Sequence, residues 1–248
     1  MKTSNKVLFG GLGLVLFFGI ALAGITRSTS TIYSKEECSK LPTIKKELDL
    51  TFESISATQN IKVVLRQGEF KVSMEAAEKL EPFINHYVED GTLILDVENG
   101  ADIPCPVVFT IQCPTLKMVS MSNGAGLLVE SLFDTPNLNL RAQNGAWIDM
   151  NVKSDEVALS AQNGANITLN GEIKYLNANA VNSSNITTKD ANISKTAIKL
   201  SNSAAATIHT DTISQANLVN SSLLRYVGVT QLEDVRTVNS SSIERVDN

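Results

Sequence analysis

The chain has 248 residues, a formal net charge of −5 and 43% apolar residues, which is enough to bury a sizeable core. An acidic balance with no basic cluster argues against nucleic acid as a partner. The only histidines, His86 and His209, stand far apart and no cysteine pair has ligand spacing, so neither a metal site nor a cofactor is expected.

The first element is the uncharged run Val7 to Thr26, preceded by Lys2 and Lys6. About twenty such residues suffice to span a bilayer as a helix. Ala21-Leu-Ala23 also fits a signal-peptide cleavage site, so residues 1–26 read as a transmembrane anchor or a signal peptide, the anchor being favoured because the apolar run continues to Ile25. No cysteine closes the run, which argues against a lipoprotein. Either reading places the rest of the chain outside the cytoplasm, in the periplasm or at the cell surface, with the two lysines inside. Residues 27–43, rich in Ser, Thr, Lys and Glu, form a tether, and 44–248 form the folded domain.

Within 44–118, period-two patterning predicts strands over Leu48–Ala57, Ile61–Gln67, Phe70–Ala76, Thr92–Val97 and Val107–Cys113. A short helix is expected around Glu78–Tyr87, with Pro82 tolerable only in its first turn. This stretch reads as the cap and first coils of a repeat structure, because no Pro/Ser/Gly-rich linker separates it from the residues after 118.

From residue 119 a repeat takes over. Asn, then Gly or Ser, then Ala or Ser recurs from Asn123, Asn144, Asn163, Asn182, Asn202, Asn220 and Asn239, at separations of 21, 19, 19, 20, 18 and 19 residues. Asn occurs four times before position 120 and eighteen times from 123 onward, so the composition changes where the repeat begins. A fixed period in this range signals a solenoid. Two and four residues before each Asn the positions are mostly apolar, and three before they are mostly polar, as in Val119, Ser120 and Met121 or Leu140, Arg141 and Ala142. The parity continues after the Asn, where Leu127, Ile148, Ile167, Ile186, Ala206, Leu224 and Ile243 stand at offset four. Extended through offset zero, it turns the Asn side chains inward, where stacked amides would hydrogen-bond as a ladder. Asn-Gly more often marks a hairpin turn. Hairpins would repeat turn chemistry every 8 to 12 residues, however, and here the second turn of each repeat has no fixed signal. The reading is an all-β parallel β-helix of coils of about 19 residues.

Phe52-Glu-Ser-Ile55, Arg66-Gln-Gly68, Val88-Glu-Asp-Gly91-Thr-Leu93, Cys113-Pro114-Thr-Leu116 and the Asn-Gly-Ala repeats together resemble the auto-transporter adhesin head GIN domain of bacterial envelope proteins. The resemblance spans roughly residues 44 to 248. That family usually writes Ser-Gly-Ala where this chain has Asn-Gly-Ala or Asn-Ser-Ser. The resemblance implies a right-handed β-helix, export from the cytoplasm and a surface or adhesive role, and it brings no catalytic residues with it.

For binding, the outward positions matter. Trp147, the only tryptophan, stands three after its Asn and is expected to point outward near Arg141; the pair is a candidate contact for a surface glycan or protein ligand, and the plainer reading makes Trp147 a cover for the bend. Catalysis on a β-helix would need converging carboxylates, yet Asp149 is matched on successive coils by Thr168, Thr187, Thr207, Arg225 and Glu244. A non-enzymatic role is expected. Cys38, Cys105 and Cys113 permit one disulfide, and their spacing does not choose the pair. An open last coil, edged by Glu244, Arg245 and Asp247, leaves self-association as a second mode of interaction.

Overall fold

The computed structural model describes Cys38, residues 40–98 and residues 105–246. The Val7–Thr26 segment and the tether up to residue 37 lie outside the described residues; among those described, no helix is long and apolar enough to cross a membrane. The first strands are β1 (Thr43–Leu48), β2 (Ser54–Ala57), β3 (Lys62–Gln67) and β4 (Lys71–Ala77). A 3₁₀ turn over Glu78–Phe83 then leads into β5 (Ile84–Glu89), β6 (Thr92–Val97) and β7 (Val108–Cys113). The helix expected over 78–87 is thus corrected to a short six-residue 3₁₀ stretch that contains Pro82 and stops at Phe83. From Ile84 the chain alternates inward and outward and pairs antiparallel with β6, so period two governs where a helix was expected.

The repeats supply β8 (Met118–Ser122), β9 (Gly126–Asp134), β10 (Asn137–Gln143), β11 (Trp147–Gln162), β12 (Asn166–Val181) and β13 (Asn185–Thr188). They continue through β14 (Ala191–Ser201), β15 (Ala205–His209), β16 (Thr212–Val219), β17 (Leu223–Val227), β18 (Gln231–Val238) and β19 (Ser242–Val246). All nineteen strands join one sheet. The result is a β-solenoid of about seven turns, each of about 19 residues.

Each coil runs up one face, turns at an Asn and returns along a second face. Strands before the Asn corner, such as β8, β10, β16 and β18, stack parallel as a leading face; strands after it, such as β9, β13, β15, β17 and β19, stack as a trailing face. The long strands β11 and β12 continue from the trailing face of one coil to the leading face of the next. Of the stretch expected as the cap and first coils, the structure supports the coils. Strands β2 and β8 pair in parallel on the leading face, and β3, β7 and β9 do so on the trailing face, as ordinary coils do. Antiparallel β1, β4 and β5 border the same sheet.

The core lies between the two faces. Val119, Leu140 and Leu159 from the leading side meet Leu127, Ile148 and Ile167 from the trailing side, all nearly inaccessible to water. Because these rows repeat in register, each coil buries its apolar edge against the next, and no coil could do so alone.

Candidate functional site

The seven repeated Asn residues form the most regular chemical feature of the surface. Each takes the left-handed backbone conformation, with φ between 52° and 58°, and so does the Gly or Ser after it. In the Asn-Gly coils the residue after the pair donates back to the residue before it, as Ala125 does to Ser122 at 3.1 Å and Ala146 to Gln143 at 3.3 Å. Positive φ at both central residues with this bond is the hairpin turn that Asn-Gly favours. Here the turn serves as the corner of a parallel coil. The first three corners have Gly after the Asn and the last four Ser; a Cβ at Gly145 or Gly164 would meet nothing within 4 Å, whereas one at Gly124 would run into Asn60 Oδ1.

Side-chain amides link the corners. Nδ2 of Asn144, Asn163, Asn182, Asn202, Asn220 and Asn239 each donates to Oδ1 of the Asn one coil earlier at 2.8–2.9 Å. Asn123 begins the run by donating to Thr58 Oγ1 at 3.0 Å. Every one of these Asn residues is exposed, which corrects the inward orientation expected from parity. Two consecutive left-handed residues take the chain around the corner, so the strand alternation stops before the Asn and resumes after the turn. The row that faces inward is the next one, Ala125, Ala146, Ala165, Ser184, Ala204 and Ser222, all buried. Serine is accepted there because its hydroxyl reaches a carbonyl, Ser184 Oγ donating to Ala161 O at 2.8 Å and Ser222 Oγ to Val219 O at 2.7 Å. A further corner at Gln59-Asn60 uses the same pair of left-handed residues (φ 56° and 61°) and carries no repeat signature that pattern reading could find.

Trp147 and Arg141 lie on opposite sides of the Asn144 corner. Arg141 is exposed on the leading face between Ser120 and Ser160. Trp147 is half-buried on the trailing face between Gly126 and Asn166, and a Cβ at Gly126 would run into the indole ring. The ring therefore lies over the backbone of Gly126, the one coil with no side chain at that position.

The second corner carries a groove of about 430 Å³ lined by Asp134, Lys153, Asp155, Glu172, Lys174 and Asn192, among others. Both of its lysines are held in ion pairs, Lys153 with Asp134 at 3.8 Å and Lys174 with Asp155 at 2.6 Å, and Glu172 adds one further carboxylate. The hydrogen bond and charge of Asp155 raise the Lys174 pKa. Among the described residues no group of three or more His, Cys, Asp or Glu could hold a metal ion. Cys38 and Cys105 form a disulfide, and Cys113 is a free, buried thiol that desolvation pushes up to about 12.

Solved structures share this architecture. A putative adhesin from Bacteroides fragilis NCTC 9343 superposes with a TM-score of 0.75 at 15% identity, over 83% of this chain and 97% of that one. A putative adhesin from Parabacteroides distasonis ATCC 8503 gives 0.71 at 18% identity, over 84% and 98%. A putative lipid binding protein from the same organism gives 0.61 at 14% identity, over 82% and 96%. At these identities the likeness shows the fold alone. The curated proteins offer no match. The family pattern described as "Putative auto-transporter adhesin, head GIN domain" matches residues 51–230, and this chain belongs to that family.

Proposed function

We propose that the protein is a non-catalytic, adhesin-type module of the cell envelope, held outside the cytoplasm by its N-terminal segment and binding a surface glycan or protein through one face of the solenoid. The observation that carries this reading is the pairing of Cys38 with Cys105 in a chain of the adhesin-head family, since disulfides persist in oxidising compartments. Val7 to Thr26 serves as the membrane anchor, residues 27–43 as the tether, and the coils wind right-handed as parallel crossovers favour. Of the two candidate contact residues Arg141 is the stronger, because the indole of Trp147 covers Gly126.

The test is binding of the full-length protein in detergent micelles to a panel of glycans, matrix proteins and whole cells. Saturable binding to at least one member is expected, weakened by Arg141→Gln. Silence across the panel from a folded sample would overturn the adhesin reading. A second reading, an envelope scaffold that binds its own kind, draws on Leu232 and Val235 of β18, apolar side chains left 40% and 37% exposed. Sedimentation velocity separates the two, because a scaffold shows concentration-dependent self-assembly and no foreign ligand.

A further inference from the structure

The leading face differs in chemistry from the rest of the surface. Its central outward row runs Arg141, Ser160, Asn179, Lys199, Asn217 and Arg236 on consecutive strands in register. Arg141, Lys199 and Arg236 are exposed and take part in none of the ion pairs among the described residues. Of those pairs, Lys174–Asp155 lies at the second corner and Arg225–Glu244 on the trailing face, while Lys195–Glu233 borders the leading face. Around the central row the side-chain amides of Gln143, Asn177, Asn179 and Gln215 make no hydrogen bond among the described residues, whereas the corner amides are paired with one another. Asn217 Oδ1, on the same row, is buried and without a partner among the described residues. Asp234 shares these rows on β18, Glu233 beside it pairs with Lys195, and exposed Glu156 stands at their margin. With the margin counted, four cations (Arg141, Lys195, Lys199, Arg236) stand against three carboxylates (Glu156, Glu233, Asp234), so on a chain of net charge −5 this face is net positive, and cations are the only charged side chains of its central row.

Resting on the adhesin reading above, we propose that the leading face binds an acidic polysaccharide, a uronate- or sulfate-bearing glycan laid along the solenoid axis. Strands spaced by about 4.8 Å put Arg141 and Lys199 roughly 14 Å apart and Lys199 and Arg236 roughly 10 Å apart. Anionic groups recurring along an extended glycan meet that spacing, with Arg141 and Arg236 able to grip a carboxylate or sulfate through two parallel N–H bonds. The unpaired amides of Asn177, Asn179 and Gln215 donate to and accept from sugar hydroxyls. The central row and the outward rows on either side of it contain no aromatic side chain, Tyr175 standing at the margin opposite Glu156, so the face lacks the stacking platform that a single-stranded nucleic acid would use.

The experiment measures binding of the full-length protein in micelles to polygalacturonate, with neutral dextran and a DNA oligonucleotide as comparators. The proposal expects saturable binding to polygalacturonate that weakens with added salt, and at least ~10-fold weaker binding to dextran and DNA. The Arg141→Gln/Lys199→Gln/Arg236→Gln variant should lose at least ~10-fold in affinity, as charge-assisted contacts disappear. Ser160→Glu, one exposed-row change that places a carboxylate beside Arg141, should weaken binding in the same direction and guards against misfolding of the triple variant. Full affinity in both variants, or DNA binding as tight as polygalacturonate, overturns the proposal. If the variants bind dextran, a matrix protein or cells as wild type does, the face is misassigned while the adhesin reading stands; silence towards every probe removes both.

Discussion

Asn163 shows how the corner works at the level of one residue. Its backbone is left-handed (φ 54°), its Nδ2 donates to Asn144 and its Oδ1 accepts from Asn182, all on an exposed edge. Asparagine suits the position twice over, as a residue that tolerates this conformation and as an amide that can both give and take a hydrogen bond. Asn163→Gly removes the two rungs and keeps the backbone free, whereas Asn163→Ala removes the rungs and adds the left-handed penalty. The glycine variant should therefore be more stable than the alanine variant by about 1 kcal/mol, read from thermal or denaturant midpoints. Equal stability would mean that backbone conformation does not select the residue. Cys113 supplies a second test. Its folded pKa is pushed from 9.0 to about 12 by burial, so between those values the unfolded chain ionises first and stability should fall as pH rises. At pH 8 the native thiol should resist alkylation and become reactive on unfolding, as peptide masses would reveal.

At the scale of the element, the coil is a strand pair joined by a corner, and most of it is legible in the sequence. The period, the alternating rows and the Ala/Ser position after each corner are all readable because burial repeats wherever coils stack. The orientation of the Asn side chain is not readable from parity, because two left-handed residues interrupt the alternation for the length of the turn. The Gln59-Asn60 corner is hidden for a related reason: it takes the conformation without the repeat's residues. Trp147 reads in the sequence as an outward aromatic, and the missing signal is on the neighbouring coil, where Gly126 leaves a gap that the indole covers. Gly126→Ala should displace that ring and redden the tryptophan emission, with a loss of about 1 to 3 kcal/mol. The Cys38–Cys105 pairing also escapes pattern reading, since spacing alone cannot choose among three cysteines. It closes a separation of 67 residues. Cys38→Ser should destabilise the domain by about 4 kcal/mol if the loop-closure account holds, and an unchanged midpoint would contradict it.

At the scale of the molecule, stacking turns single residues into rows and rows into surfaces of different chemistry. The corner row consists of amides that bond to each other, the second corner holds its lysines in ion pairs, and the central row of the leading face carries cations and amides without partners among the described residues. A ligand gains most where the protein has not already satisfied its own groups, which is why the leading face and not the groove is the proposed binding surface. The most direct measurement is carbodiimide coupling of polygalacturonate carboxylates to lysine amines on the full-length protein, with the modified peptide identified by mass spectrometry. The account predicts coupling at Lys199, with the ion-paired Lys153 and Lys174 of the second corner largely spared. Coupling concentrated at those two lysines, or none at Lys199 when the glycan is bound, would contradict it.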